Sequence, residues 1–393
     1  MKYNACLISE LIEEIAMGPF GSNIKVDCFV DEGIPVLNGS NLDGFELSEK
    51  SFRYVTEEKA NSLNKANAHK GDVVITHRGT LGQIVYIPQT AKHERYIISQ
   101  SQFRVRCNDK VLPEYLVYYF HTPVGQHKLL SNASQVGVPA LARPSSTFQQ
   151  IEIEIPDIDT QKRVTNIIDV IQRRIKANSE INDNLQQQAA ALYSDAFPYS
   201  IEDDLPDGWR VGTVGEIVEI HDAKRIPLSG TQRMKMTKRA YPYYGAASLM
   251  DYVDEYIFEG KYLLLGEDGT VVDDAGYPIL QYVWGKFWVN NHAHILTGKL
   301  GFNVESLMLL FRRTPVKSIV TGAVQPKISQ ANLKSIPVVI PPEEEIVAFN
   351  ESVDSLFSLI RNNEEQNREL SKLRDALIPK LMTGEIDVSD IQL

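Results

Sequence analysis

Apolar residues recur at alternating steps of four and three along two stretches of this chain. In the first they fall at Val164, Ile168, Ile171, Ile175, Leu185, Ala189, Leu192 and Ala196, with Asn178 and Asn182 at two positions of the same seam. Adding 185 to each number yields a second seam: Phe349, Val353, Leu356, Ile360, Asn363, Asn367, Leu370, Arg374, Leu377 and Leu381. Steps of four and three mark the seam of a coiled-coil helix. Some 40 residues rising 1.5 Å each make a rod of ~60 Å. Asp157 and Asp159 open the first helix and Phe197-Pro198 close it. Pro341-Pro342 and Glu343-Glu344-Glu345 open the second, and Gly384 stops it. Proline fits a first helical turn, acids suit the positive helix start, and glycine caps the end.

The segments before the helices also correspond. Ile153-Glu154-Ile155-Pro156 is echoed by Val338-Val339-Ile340-Pro341. Gly33–Leu42 matches Ala240–Leu249, Gly71–Ile75 matches Gly260–Leu264, and Ile98–Gln102 matches Val289–Ala293. These read as short strands between Gly, Pro, Asn and Asp turns. The chain is therefore an internal repeat of α+β class. Two mixed globules, 1–156 and 199–341, alternate with two long helices, 157–198 and 342–393. The two seams are expected to pair as antiparallel coiled-coil helices about a pseudo-two-fold.

Composition leaves this picture standing and excludes others. Of 393 residues, 43% are hydrophobic and 23% charged, as in ordinary globular proteins. No apolar run approaches the ~20 residues of a membrane helix. Glu13 and Glu14 interrupt any secretory apolar region. Three scattered cysteines, Cys6, Cys28 and Cys107, fit a reducing cytoplasm and give no zinc spacing. The net charge of −11 is unevenly spread. Residues 61–150 hold ten Lys/Arg against four Asp/Glu, whereas residues 342–393 hold five against twelve.

No catalytic constellation is convincing. Phosphate-binding glycine loops and an Asn-Pro-Pro-aromatic tetrapeptide are missing. His292-Ala293-His294 lacks a third ligand at local spacing. Glu259-Gly260-Lys261 has the outline of some nuclease sites, with Asp251 or Asp254 as partner acid. Glu267-Asp268 and Asp273-Asp274 read as turn residues beside Gly269 and Gly276.

On other residues the chain resembles the type I restriction-modification specificity subunits. The matching pieces are Gly18-Pro19-Phe20-Gly21-Ser22, Gly33-Ile34-Pro35-Val36, Leu205-Pro206-Asp207-Gly208-Trp209, the Ile-Pro before each long helix, and Leu377–Ile386. The first half lacks the Leu-Pro-x-Gly-Trp opening. The resemblance implies a non-catalytic, cytoplasmic subunit with two target recognition domains, each reading half of a split, asymmetric site in double-stranded DNA. It implies two methyltransferase subunits docked on the helical spacer, holding S-adenosylmethionine and methylating adenine. Restriction translocase-nuclease subunits, holding ATP and Mg, join them; this chain holds no cofactor and no metal. A DNA-independent coiled-coil scaffold and a self-contained nuclease are the alternatives.

Phosphate contacts supply affinity and base-edge contacts supply specificity. Lys224, Arg225, Arg233, Lys235, Lys238 and Arg239 form a basic run without an acid, marked as loop by Ser229 and Gly230. Lys327, beside the turn Gly322-Ala323-Val324-Gln325-Pro326, extends it. In the first half Arg78 and Thr80 top a strand-turn. Gln100 and Gln102 sit on a neighbouring polar strand, and Asn38 and Ser40 follow Pro35. Asn290 and Asn291 occupy the equivalent place in the second half. Arg suits guanine, and Gln or Asn suits adenine. In an antiparallel register where Asn178 faces Asn367, Asn182 faces Asn363 and facing numbers sum to 545. Such Asn layers can fix register, and with it the spacer of a split site.

Overall fold

Both long helices form. In a computed structural model, which describes residues 3–134, 137–322 and 324–391, they run Ile158–Ala196 and Glu343–Met382. The chain divides into two compact units, residues 1–177 with 366–393 and residues 178–365. Each unit takes one globule and half of each helix. The boundaries at 156, 198 and 341 follow chain order, while compactness cuts across both rods.

In the first unit a four-stranded antiparallel sheet runs Ile12–Met17, Gln102–Cys107, Asp72–Thr76, Ile84–Tyr86. A five-stranded sheet carries one parallel pair, Val36 with Ile97. Asn4–Leu7 pairs with Glu152–Ile155. The second unit repeats this plan. Arg210–Thr213 pairs with Pro337–Ile340. Ala293–Gly298 lies between Val218–Ile220 and Phe258–Gly266, and Tyr243 and Tyr244 pair in parallel with Trp288 and Val289. Here the strands join as one six-stranded sheet. Strand Asp72–Thr76 is wholly buried, as its run of apolar β-branched residues demands.

Within the first unit, Val164 and Ile168 share a core with Ile378 and Leu381. Arg374 donates to Gln172 at 2.8 Å and Arg174 to Gln366 at 3.2 Å, so the helix halves run antiparallel. Within the second unit, Asn363 donates to Asn182 at 2.9 Å, and the Tyr193 and Phe349 rings meet at 5.3 Å. The Asn182–Asn363 pair has the expected sum of 545. Asn178 and Asn367 are buried too. The seam departs from the heptad at its end. Leu192 is exposed, and Tyr193 and Phe197 are buried in its place. An α-helix turns every 3.6 residues, so a strict 3.5 repeat drifts off its face, and here the aromatic rings take over the core.

The Asn182–Asn363 pair allows a direct test. Asn182 also donates to the Ile360 carbonyl and to Glu364, both at 3.3 Å. The single variant Asn182→Leu is expected to cost about 1–3 kcal/mol, because it strands the buried Asn363 amide. The double variant Asn182→Leu/Asn363→Leu removes both polar partners and should recover most of that loss. A double-mutant cycle by urea unfolding checks this, and additive single losses would contradict it.

Candidate nucleic-acid interface

The two units present the same edge, built by the same backbone device. In the first, strand Asp72–Thr76 ends at His77, whose amide donates to the Ser101 carbonyl at 2.8 Å. The turn passes through Gly79 at φ +93°, and the Gly79 amide donates to Pro139 at 2.9 Å. In the second, strand Phe258–Gly266 ends at Glu267, whose amide donates to His292 at 2.8 Å. Gly269 has φ +85° and donates to Pro326 at 3.0 Å. Isolated bridges join Arg78 to Ala140 and Asp268 to Lys327. Segments 137–140 and 324–327 are therefore counterparts, a match too loose to find from side chains.

In the first unit, Ser99–Ser101 forms a tight turn rather than the expected polar strand, with the Gln102 amide donating to the Ser99 carbonyl at 3.0 Å. Gln102 is buried; its Oε1 accepts from the Ser99 amide at 2.8 Å and its Nε2 donates to the Asn38 carbonyl at 3.3 Å. It builds the edge instead of facing outward. Asn38 and Ser40 are exposed but tied to each other. The Asn38 Oδ1 accepts from both the amide and hydroxyl of Ser40, and its Nδ2 donates to the Ser51 carbonyl. Arg78, Thr80 and Gln100 are exposed. His77 sits behind them, 3.1 Å from the Gln100 carbonyl, and burial holds its imidazole below the usual range.

The second edge is more charged. Asp222, Glu267 and His294 bring potential ligand atoms within 4.8 Å of one another. These atoms are already engaged. His294 meets Asp222 at 2.6 Å and the Ile328 carbonyl at 2.8 Å. Gln330 donates to Asp222 at 2.6 Å, Arg225 pairs with Glu267 at 2.5 Å, and Lys327 pairs with Glu267 at 3.2 Å. Arg225 and Lys327 both bring positive charge to this cluster. Burial raises the Asp222 carboxyl, but His294, the Ile295 amide and Arg225 outweigh it and hold the group below the usual carboxylate range. His292 pairs separately with Asp268.

The basic run is sorted by these contacts. Its loop contains a short helix, Gly230–Met234, capped by Ser229. Arg225 is half-buried in the cluster, its guanidinium engaged by Glu267 and the Ala293 carbonyl. Arg233 stacks 4.9 Å over the Tyr243 ring and lies 3.6 Å from Asp251, and Arg239 lies 3.7 Å from Asp251. Both therefore have an acidic neighbour in Asp251, and Arg239 stays half exposed. Asn290 is buried, its Oδ1 accepting from the His292 amide at 2.8 Å, whereas Asn291 is exposed. Lys224, Lys235 and Lys238 are exposed and have no ion pair among the described residues. Ala323, in the turn beside Lys327, lies outside the described residues. Lys261 of the nuclease-like triplet is paired with the buried Glu305 at 2.6 Å, which leaves no free lysine for catalysis there.

A family model described as "Type I restriction modification DNA specificity domain" matches residues 25–187 and again 206–372. The chain belongs to that family. The two matches fall on the two copies of the repeat. Among specificity subunits, the MjaIX protein of Methanocaldococcus jannaschii is 23% identical over 415 aligned positions, covering 97% of this chain and 93% of that one. The putative S.HindORF215P specificity subunit of Haemophilus influenzae is 34% identical over 146 positions, 36% of this chain and 37% of its own. The crystal structure of the type I restriction-modification S subunit from M. genitalium has a similar fold, with a TM-score of 0.53 at 16% identity over 97% of this chain and 96% of that one. Among the described residues, no helix of this specificity subunit is long and apolar enough to cross a membrane.

Proposed function

We propose that this specificity subunit reads a bipartite, asymmetric site in double-stranded DNA, one half-site per unit. It does so without catalysing a reaction, and it docks two adenine methyltransferase subunits along its long helices. S-adenosylmethionine belongs to those partners, and ATP and Mg belong to the translocase-nuclease subunits that complete the restriction complex. The observation that carries this reading is the duplicated edge. Two units built by the same strand-turn device each present an exposed polar set, Arg78, Thr80 and Gln100 in one and Lys224, Lys235, Lys238 and Asn291 in the other. Two similar but non-identical edges suit two different half-sites. Guanidinium, amide and ammonium groups are the donors that base edges and phosphates take.

The test is a methylation map. The chain and its methyltransferase partner are expressed together in a host lacking adenine methylation, and modified bases are located by single-molecule sequencing. One split motif is expected, and none when this chain is omitted. Methylation that ignores the presence of the chain would overturn the reading.

A further inference from the structure

The first unit has an open cavity of about 390 Å³ beside the turn at Gln100. Phe20, Ile24, Phe29 and Val36 give it apolar walls, and Arg53 and Gln100 stand on its rim. Phe20 is 83% exposed, an unusual position for a whole aromatic ring. The Arg53 guanidinium lies 5.1 Å over the Phe29 ring.

Gln100 is seated in an unusual way. A Cβ built on Gly21 would lie 2.3 Å from the Gln100 Oε1, and one built on Gly18 would lie 1.9 Å from the Ser99 carbonyl oxygen. Both glycines let segment 18–21 press against the turn, and the Gly18 amide donates to the Gln102 carbonyl at 2.9 Å. The Gln100 amide thus lies along bare backbone beside the cavity. It has no hydrogen-bond partner among the described residues. A primary amide with a free donor and a free acceptor next to an aromatic recess has a specific complement. Adenine offers N7 as acceptor and N6 as donor in the major groove, and its paired thymine offers a methyl group beside them.

We propose that this cavity is a specificity subsite for one A·T pair, distinct from the adenine that is methylated. The Gln100 amide takes the adenine N6 and N7, and the recess flanked by Phe20 takes the thymine methyl. This rests on the DNA-reading function proposed above. The corresponding place in the second unit is lined differently. Val36 and Leu37 correspond to Tyr243 and Tyr244, and the Met250 sulfur lies 2.5 Å from where a Gly245 Cβ would stand. Gln100 itself corresponds to the exposed Asn291, one methylene shorter, and Ser99 to Asn290, whose amide faces that sulfur at 3.4 Å. The cavity and the Gln100 seat lie in the first unit, so the subsite is assigned to the first half-site.

The experiment uses the complex of the full chain with its methyltransferase partner. In the methylation map, Gln100→Ala is expected to relax one A·T position of one half-site by roughly 5- to 150-fold, the range for losing one bidentate base contact. The other half-site stays intact and serves as the internal control. On synthetic duplexes, replacing that thymine by uracil removes only the methyl and should weaken wild-type binding by about 4-fold, the worth of one buried carbon. Phe20→Ala should bind the two duplexes equally. A wild-type motif that Gln100→Ala leaves unchanged overturns the subsite alone. A wild type that yields no motif overturns the DNA-reading function and the subsite with it.

Discussion

Asp222→Ala is expected to lower the stability of the second unit by about 3–5 kcal/mol, the cost of breaking a buried charge network from one side. Four donors converge on this carboxylate: His294 Nδ1 at 2.6 Å, Gln330 Nε2 at 2.6 Å, the Ile295 amide at 3.0 Å and Arg225 at 3.4 Å. His294 is fully buried, so its ring would lose its nearest acceptor inside the core. Glu267, 3.7 Å from the same ring nitrogen, offsets part of the loss. The effect has a defined pH dependence. Asp222 is held below the usual carboxylate range, so it binds fewer protons folded than unfolded. Its contribution is complete above the unfolded value of about 3.9 and is lost as pH falls through the lower folded value. Urea unfolding at pH 7, 5 and 3 should show a full gap between wild type and variant at the first two and a narrowed one at the third. A gap under about 1 kcal/mol at pH 7 would show that the cluster is not a stability element.

What the sequence reveals and what it hides have separate physical causes. The rods are legible because a heptad repeats one chemical fact many times, so a single misplaced residue such as Leu192 does not obscure it. The Asn182–Asn363 pair is legible because a polar residue on an apolar seam has few ways to be satisfied. Individual edge residues are different. Asn38, Gln102, Arg225 and Asn290 carry the right chemistry for DNA, yet each is used to build the edge. Short polar side chains in loops bond to nearby backbone as readily as to a ligand. No local pattern says which they do. Asp222 and Gln330 lie 108 positions apart and are joined only by the fold. The role of Gly21 likewise depends on a turn some eighty residues away.

The same sorting separates two kinds of cation in the second unit, and it leads to a measurable difference. Arg225, Arg233 and Arg239 each have a carboxylate within ion-pair distance; Lys224, Lys235 and Lys238 have none that close among the described residues. A guanidinium already paired gains little from a phosphate, whereas a free ammonium displaces a counterion from the DNA when it binds. Each phosphate contact contributes a slope of about 0.9 to the dependence of log affinity on log salt. The triple variant Lys224→Ala/Lys235→Ala/Lys238→Ala is therefore expected to lower that slope by about 2.7 and to weaken duplex binding at 0.1 M salt by up to a few hundred-fold. Fluorescence anisotropy of the methyltransferase complex across a salt series reads both quantities. Stability should stay within about 0.5 kcal/mol, because all three side chains lie on the surface. The methylated motif should not change, because phosphates carry no sequence. The net charge of −11 does not oppose this, since twelve acids lie in residues 342–393, outside the basic run. An unchanged slope in the triple variant would place the DNA on another face of the unit.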